Sequence, residues 1–280
     1  MKINFTKMHG LGNDFMVIDA ISQPISLLPA QIKELSDRHF GVGFDQILLI
    51  ERSETADFRY RIFNADGSEV GQCGNGARCF ARFVAEKELI NREVDKGIWV
   101  ETKERTIRLT VQNDNSVIVN MGKPVWLPRD IPFNQFESTK ATYTIKGETV
   151  GVVSMGNPHA VLIVDDINQE IETIAKKIQN STDFPEGVNV NFVEIVDEFK
   201  VKLRVYERGV GETSACGSGA CATTAYLDKI DKVNANWDTN GGKYVVLELQ
   251  GGELSVTSNN NQDIAMWGSA EFVYEGQIEI

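Results

Sequence analysis

The sequence predicts an α+β fold made of two homologous halves, each a set of strands wrapped around one central helix. Three observations predict it: a segment of the first half returns in the second at a fixed offset, extended apolar runs dominate both halves, and one helix-like stretch follows the same cysteine motif in each. A length of 280 residues also suits two domains better than one core.

The repeat is gapless. Arg61 to Ala77 lies on Arg204 to Ala220, so that Cys73 meets Cys216 at an offset of 216 − 73 = 143 residues. Arg61 meets Arg204, Glu69 meets Glu212, and Cys73-Gly74-x-Gly76-Ala77 meets Cys216-Gly217-x-Gly219-Ala220. Upstream, Gln46–Glu51 meets Asn189–Glu194, an amide followed by an apolar run, and Gly12-Asn13 resembles Gly156-Asn157. One long spacing is not a solenoid, which needs several short repeats.

The strand-like runs, in order, are Gln46–Ile50, Phe58–Phe63, Thr106–Val111, Val152–Val153, Ala160–Val164, Lys200–Tyr206 and Tyr244–Leu249. After Cys73, the residues Cys79, Phe80, Phe83 and Val84 recur at three- and four-residue spacing, which predicts an amphipathic helix. After Cys216, Gly219 to Leu227 is small and apolar on all sides, which predicts a buried one. Asn115-Ser116 and Met121-Gly122-Lys123-Pro124 break the pattern, placing a domain boundary near Val117–Val125.

Composition excludes several classes. Lys plus Arg is 28 against Asp plus Glu 40, a net charge of −12, and this field repels a phosphate backbone and argues against nucleic-acid binding. No stretch approaches the roughly 18 apolar residues of a membrane span. Asn, Asp and Gly interrupt Met1–Ala20, which therefore has no signal-peptide core, and a soluble, cytoplasmic protein with no membrane partner is expected. Its four cysteines are then expected as reduced thiols. Neither cysteine pair has C-x-x-C spacing and the chain has three His, so no metal site is expected. Gly41-x-Gly43, Gly74-x-Gly76 and Gly217-x-Gly219 lack a third glycine, and Gly241-Gly242-Lys243 lacks a following Ser or Thr, which excludes nucleotide binding. No Lys lies near either cysteine motif to form a pyridoxal Schiff base.

Each cysteine motif places a thiol just before a helix start. The first N–H groups there lack internal partners and the dipole is positive, so the spot suits a carboxylate and favours thiolate. If the two halves face each other about a pseudo-two-fold axis, Cys73 and Cys216 flank one small cleft. A thiolate on one side and a thiol on the other suit inversion at a C–H stereocentre: one takes the α-proton and the other delivers a proton to the opposite face. A well-aimed N–H donor to the substrate carboxylate contributes about 3–4 kcal/mol to such a step. Cys79 and Cys221 fall inside the apolar helices and read as small buried hydrophobes.

The motifs resemble those of diaminopimelate epimerases: Asn64-x-Asp66-Gly67-Ser68 leading to Cys73-Gly74-Asn75-Gly76-x-Arg78; Met8-His9-Gly10-Leu11-Gly12-Asn13-Asp14-Phe15; Gly156-Asn157-Pro158-His159; and Glu207-Arg208-Gly209-x-Gly211-Glu212 leading to Cys216-Gly217-Ser218-Gly219. The resemblance runs from Met8 to about Cys221. It implies a cofactor-independent epimerase that interconverts LL- and meso-2,6-diaminopimelate, on the route to lysine and peptidoglycan precursors, and commonly a homodimer. It implies two similar domains facing each other, residues 1–118 with a returning strand from 263–280, and residues 119–262. It assigns Cys73 and Cys216 as the acid/base pair, supported by His159 and Glu207. Gly74, Asn75, Gly217 and Ser218 would hold the reacting carboxylate, with Asn13 and Gln46 near the reacting amino end. Asn64, Asn157, Asn189, Glu207 and Arg208 would read the distal amino acid centre, where an Arg can take a carboxylate bidentately and a Glu an ammonium. Ser218 stands where many relatives carry Thr, and Met266–Ala270 is an unusual version of its segment.

Plainer readings stand beside these. His159 reads as a hydrogen-bonded scaffold group rather than a proton carrier, and His9 and His39 as structural. Asp66, Glu69 and Glu212 suit helix capping, and Arg61 and Arg204 suit pairing with local carboxylates. Two other functions compete: a racemase of similar architecture acting on proline or hydroxyproline, against which Glu207, Arg208 and the Asn64-to-Arg78 signature argue, and a non-catalytic amino-acid-binding or redox-sensing protein.

Overall fold

The structure is a computed structural model describing residues 2–71, 73–90, 97–135, 139–235, 243–257 and 263–280. Gln72 of the first cysteine motif and Gly241-Gly242 lie outside the described residues. In chain order the elements are β1 (Lys2–Gly10), β2 (Asn13–Asp19), α1 (Pro29–Ser36), β3 (Gln46–Glu51), β4 (Phe58–Asn64), β5 (Glu69–Val70), α2 (Gly74–Glu86), β6 (Ile98–Glu101), β7 (Thr106–Val111) and β8 (Val117–Gly122). There follow β9 (Tyr143–Ile145), β10 (Glu148–Ser154), β11 (Pro158–Ile163), α3 (Glu172–Gln179), β12 (Asn189–Ile195), β13 (Lys200–Glu207), β14 (Gly211–Thr213), α4 (Gly217–Lys229), β15 (Val245–Leu249), β16 (Gly252–Thr257), β17 (Ile264–Gly268) and β18 (Glu271–Glu279). Among the described residues no helix is long and apolar enough to cross a membrane.

The chain forms two compact units, Met1–Val119 with Trp267–Ile280, and Asn120–Met266. In the first, β2 runs antiparallel to β1 and parallel to β3; β4 is antiparallel to β3 and β5 and parallel to β6; β7 is antiparallel to β6. The second repeats this sequence of directions. There β11 is antiparallel to β10 and parallel to β12, β13 is antiparallel to β12 and β14 and parallel to β15, and β16 is antiparallel to β15. Shared topology at the shared offset is what duplication of one α+β unit produces. Each parallel step is bridged by a helix, the eight-residue α1 and α3 for β2–β3 and β11–β12 and the 13-residue α2 and α4 for β4–β6 and β13–β15, because parallel neighbours need a crossover. In the first unit β18 lies antiparallel against β1, with Lys2 opposite Glu279.

The central helices have the predicted characters. In α2, Cys79, Phe80, Phe83 and Val84 are all buried, and Phe80 packs edge-on to Phe58 and Tyr60 at ring distances of 6.1 and 5.3 Å. In α4 every residue from Gly219 to Leu227 is buried. Cys79 and Cys221 are fully enclosed, and desolvation holds the Cys79 thiol well above its ordinary range. In the second unit a further apolar cluster beneath the sheet joins Phe133, Tyr143 and Phe184.

Candidate active site

In both units a glycine in left-handed conformation turns the chain just ahead of an asparagine: Gly12 (φ 84°) before Asn13 and Gly156 (φ 96°) before Asn157. A side chain at either φ would be strained, so the repeated Gly-Asn pair has a backbone reason. In both units the cysteine is the N-cap of the central helix, in extended conformation: Cys73 at φ −140° and Cys216 at φ −130°. The glycines that follow permit close packing. A Cβ on Gly76 would stand 2.6 Å from the Tyr60 hydroxyl oxygen, and one on Gly219 3.2 Å from Cys216 Sγ. Neither helix has an acidic residue in its first turn, so no carboxylate of that turn offsets the positive end of its dipole.

In the first unit, β3 begins with Gln46, opposite Asn64 at the end of β4 and opposite Phe15 of β2. Gln46 Nε2 donates to Asn64 Oδ1 at 2.9 Å, and Asn64 Nδ2 donates to Ser68 Oγ at 3.1 Å. The Cys73 thiol donates to Asn13 Oδ1 at 3.6 Å, and Asn75 Nδ2 donates to the same oxygen at 3.3 Å. Asn13, Cys73 and Asn75 thus form one cluster. Beneath it Arg78, fully buried, donates from Nε to the Ser269 carbonyl at 3.0 Å and from Nη2 to Asn75 Oδ1 at 2.9 Å.

In the second unit, His159 is fully buried and lies opposite Asn189 in the β11–β12 register. Its Nδ1 is 3.1 Å from Asn191 Oδ1, and its Nε2 is 3.1 Å from both Asn157 Oδ1 and Ser218 Oγ. Asn191 Nδ2 donates to the Gly219 carbonyl and to Thr223 Oγ1, which leaves Asn191 Oδ1 to accept from the imidazole Nδ1–H. Burial pushes the His159 pKa down to about 4, so the ring is neutral near pH 7. Cys216, 5% exposed, accepts the Gly219 N–H at 3.3 Å and lies 3.5 Å from Ser218 Oγ. The Glu207 carboxyl accepts from Thr213 Oγ1 at 2.6 Å and from Cys216, and burial raises its pKa above the usual carboxylate range. Arg208 is fixed at its backbone N–H by Asn189 Oδ1 (2.8 Å) and at Nη1 by the Glu186 carbonyl (2.6 Å).

Each unit therefore gathers its own named residues: Asn13, Gln46, Asn64, Cys73, Gly74 and Asn75 in one; Asn157, His159, Asn189, Glu207, Arg208, Cys216, Gly217 and Ser218 in the other. Three expectations need correction. Asp66 does not cap α2; its carboxylate accepts from the Ser68 N–H and hydroxyl within a turn. Glu69 pairs with Arg61, and Glu212 with Arg204, because each strand pairing sets the acid beside the base. The sequence reading missed Asn191, Thr213 and the burial of Arg78. Asn191 alone left a signal: with Asn189 it places two amides on a strand face whose other residues, Val193 and Ile195, are apolar.

The model of the family described as diaminopimelate epimerase matches residues 5–127 and 151–273. A diaminopimelate epimerase of Pseudomonas syringae pv. tomato is 48% identical over 287 residues, and one of Ectopseudomonas mendocina 49% identical over 288, each alignment covering both chains in full. Among solved structures, a phenazine biosynthesis protein of the PhzF family from Bacillus anthracis shares the fold at a TM-score of 0.71 and 17% identity, covering both chains in full. A hydroxyproline epimerase from Agrobacterium vitis shares it at 0.69 and 15%, covering 99% of this chain and 92% of that one. With a duplicated unit, a cysteine capping the central helix of each copy, and near-half identity over its whole length to these enzymes, the chain belongs to the diaminopimelate epimerase family.

Proposed function

We propose that the chain interconverts LL- and meso-2,6-diaminopimelate by a two-base mechanism in which Cys73 and Cys216 are the acid/base pair. The observation that carries this is the matched placement of the two cysteines as N-caps of the paired central helices, each at the end of an amide-lined strand pair. The ionised cysteine takes the α-proton, leaving the electron pair on the α-carbon delocalised into the carboxylate. The other cysteine delivers its own proton to the opposite face. One proton is taken and one given, so the enzyme ends with the protonation of its two sulfurs exchanged.

The helix-start N–H groups at Gly74, Asn75, Gly217 and Ser218 hold the reacting carboxylate, and Asn13 and Gln46 lie by its amino group. Asn64, Asn157, Asn189, Glu207 and Arg208 read the distal amino acid centre, which separates this substrate from proline or any simple amino acid. Glu207 accepts the Cys216 proton, and neutral His159, accepting at Nε2 from the Ser218 hydroxyl, orients Ser218. No cofactor takes part. The enzyme works in the cytoplasm as a homodimer.

Incubation with LL-diaminopimelate in deuterium oxide tests the reading. Meso product carrying α-deuterium is expected. Binding without exchange would leave an amino-acid-binding protein, and exchange into proline instead would select the racemase reading.

A further inference from the structure

One hydrogen-bonded chain in the first unit has a fixed direction. At one end stands Arg78, a side chain that can only donate. Its Nη2 donates to Asn75 Oδ1, so Asn75 must turn its Nδ2 outward, and that group donates to Asn13 Oδ1. At the other end stands Asp45, a carboxylate that can only accept: its Oδ2 takes Asn13 Nδ2 at 2.9 Å and the Asp14 N–H at 3.1 Å. Its Oδ1 is held by Arg38 Nη2 at 2.8 Å. Neither amide can rotate by half a turn without setting like against like. The atom of Asn13 that faces Cys73 Sγ is therefore its oxygen, an acceptor for S–H and a repulsive neighbour for a thiolate.

We propose that Asp45 is a positioning residue for the reaction: through Asn13, and against the Arg78 end of the relay, it presents an oxygen to Cys73 and keeps that cysteine in its thiol form in the free enzyme. The contrast with the second unit supports this. Cys73 makes no side-chain cap bond to its helix, whereas Cys216 accepts the Gly219 N–H, a donor that favours its thiolate against the Glu207 carboxyl that accepts from it. Among the described residues, the titratable and charged groups around Cys73 include Tyr60 of β4, whose hydroxyl donates to the Cys73 carbonyl, Cys79 and Arg78 of α2, and Asp14, Asp45 and Arg38 beyond Asn13. The inference rests on the two-thiol reading for its meaning in turnover. Its test needs no turnover, so the two can fail separately.

The test is the pH midpoint of iodoacetamide alkylation at Cys73, read by peptide mass spectrometry on the full chain. Asp45 is exposed, so Asp45→Asn spares the core. The new amide no longer offers an obligate acceptor: when its NH2 faces Asn13 Nδ2, the Asn13 amide is opposed at that end and turns its own NH2 toward Cys73 for part of the time, against the Asn75 Nδ2 that Arg78 still fixes. Exchanging an acceptor for a donor moves the Cys73 midpoint down by about one pH unit, the worth of an ordinary hydrogen bond. The shift persists in 1 M salt, where a through-space charge effect is screened beyond about 3 Å. Arg78→Met lowers the midpoint further only on the Asp45→Asn background, since it frees Asn75 to follow the reversal. A Cys73 midpoint unmoved by Asp45→Asn, a shift abolished by salt, or an equal shift at Cys216 would each overturn the proposal. If Arg78→Met does not fold, Asp45→Asn with its salt series decides alone.

Discussion

Acid should destabilise this protein through a single imidazole, and the size of the effect follows from burial. His159 is enclosed on all sides, with a folded pKa of about 4 against an ordinary value of 6.5. Because the folded value is the lower one, the unfolded chain binds a proton first as pH falls. Stability is therefore unaffected above pH 6.5, declines between 6.5 and 4, and levels off below. At pH 5 the unfolded imidazole is almost fully protonated and the folded one about one-tenth so, which removes about 2 kcal/mol relative to pH 7.5; by pH 4 the loss approaches about 3 kcal/mol. Glu207 acts in the opposite sense. Its folded pKa lies above the ordinary 4.5, so its burial penalty is relieved as pH falls. A comparison with His159→Gln, which cannot titrate and leaves Glu207 in place, isolates the histidine. Urea unfolding of both proteins at pH 7.5 and 5.0 provides the measurement. The wild type should lose about 2 kcal/mol more than His159→Gln over this interval. Equal losses in the two proteins would mean that the imidazole is protonated or solvated in the folded state, and the account of it as a neutral strut would fall.

Other perturbations give distinct readouts. Cys73→Ala and Cys216→Ala should each lower kcat by at least about 100-fold, as loss of a proton carrier does, with melting temperature held; near-normal turnover in either would remove that residue from the pair. Arg208→Ala should raise KM about 10- to 100-fold with a smaller change in kcat, the worth of one charge-assisted hydrogen bond to a carboxylate, and unchanged steady-state kinetics would place the guanidinium outside the substrate's reach. Phe80→Ala should cost about 3–5 kcal/mol in urea unfolding, since its ring fills the space between Phe58 and Tyr60. Gly151→Ala should cost about 1–3 kcal/mol by overpacking, because the added carbon would sit 2.2 Å from the Tyr226 ring. Tyr226→Leu in the same chain should recover part of that loss; no recovery would point to the backbone instead.

Much of the fold was legible because duplication writes the same pattern twice. A single Cys-Gly-x-Gly-Ala would be weak, but two in register fix both helix starts and the strands ahead of them. What stayed hidden was short or inverted in polarity. Helices α1 and α3 have eight residues each, with two buried positions apiece (Ile32 and Leu35; Ala175 and Ile178), too few to establish a period. β18 is exposed or half-exposed along its whole length, so it carries no core signature of its own, and the returning strand is expected from the family resemblance and not from its pattern. Arg78 reads as a surface charge on an amphipathic helix; its burial depends on carbonyls at Gly74 and at Ser269, nearly 200 residues away, which no local pattern reveals. The capping expectation for Glu69 and Glu212 failed for a related reason, since each acid is claimed by an arginine across a strand pair rather than by the helix that follows.

The pairing of β1 with β18 inverts the order in which the two units can be finished. A chain emerging from the ribosome at about 5–20 residues per second makes Lys2–Gly10 at the outset but must wait tens of seconds for Glu271–Glu279. Unit Asn120–Met266 is contiguous and can close first. The earliest strand made is thus held with one edge unsatisfied until nearly everything else is in place, so shortening the chain before β18 should expose that edge to self-association rather than merely trim a terminus.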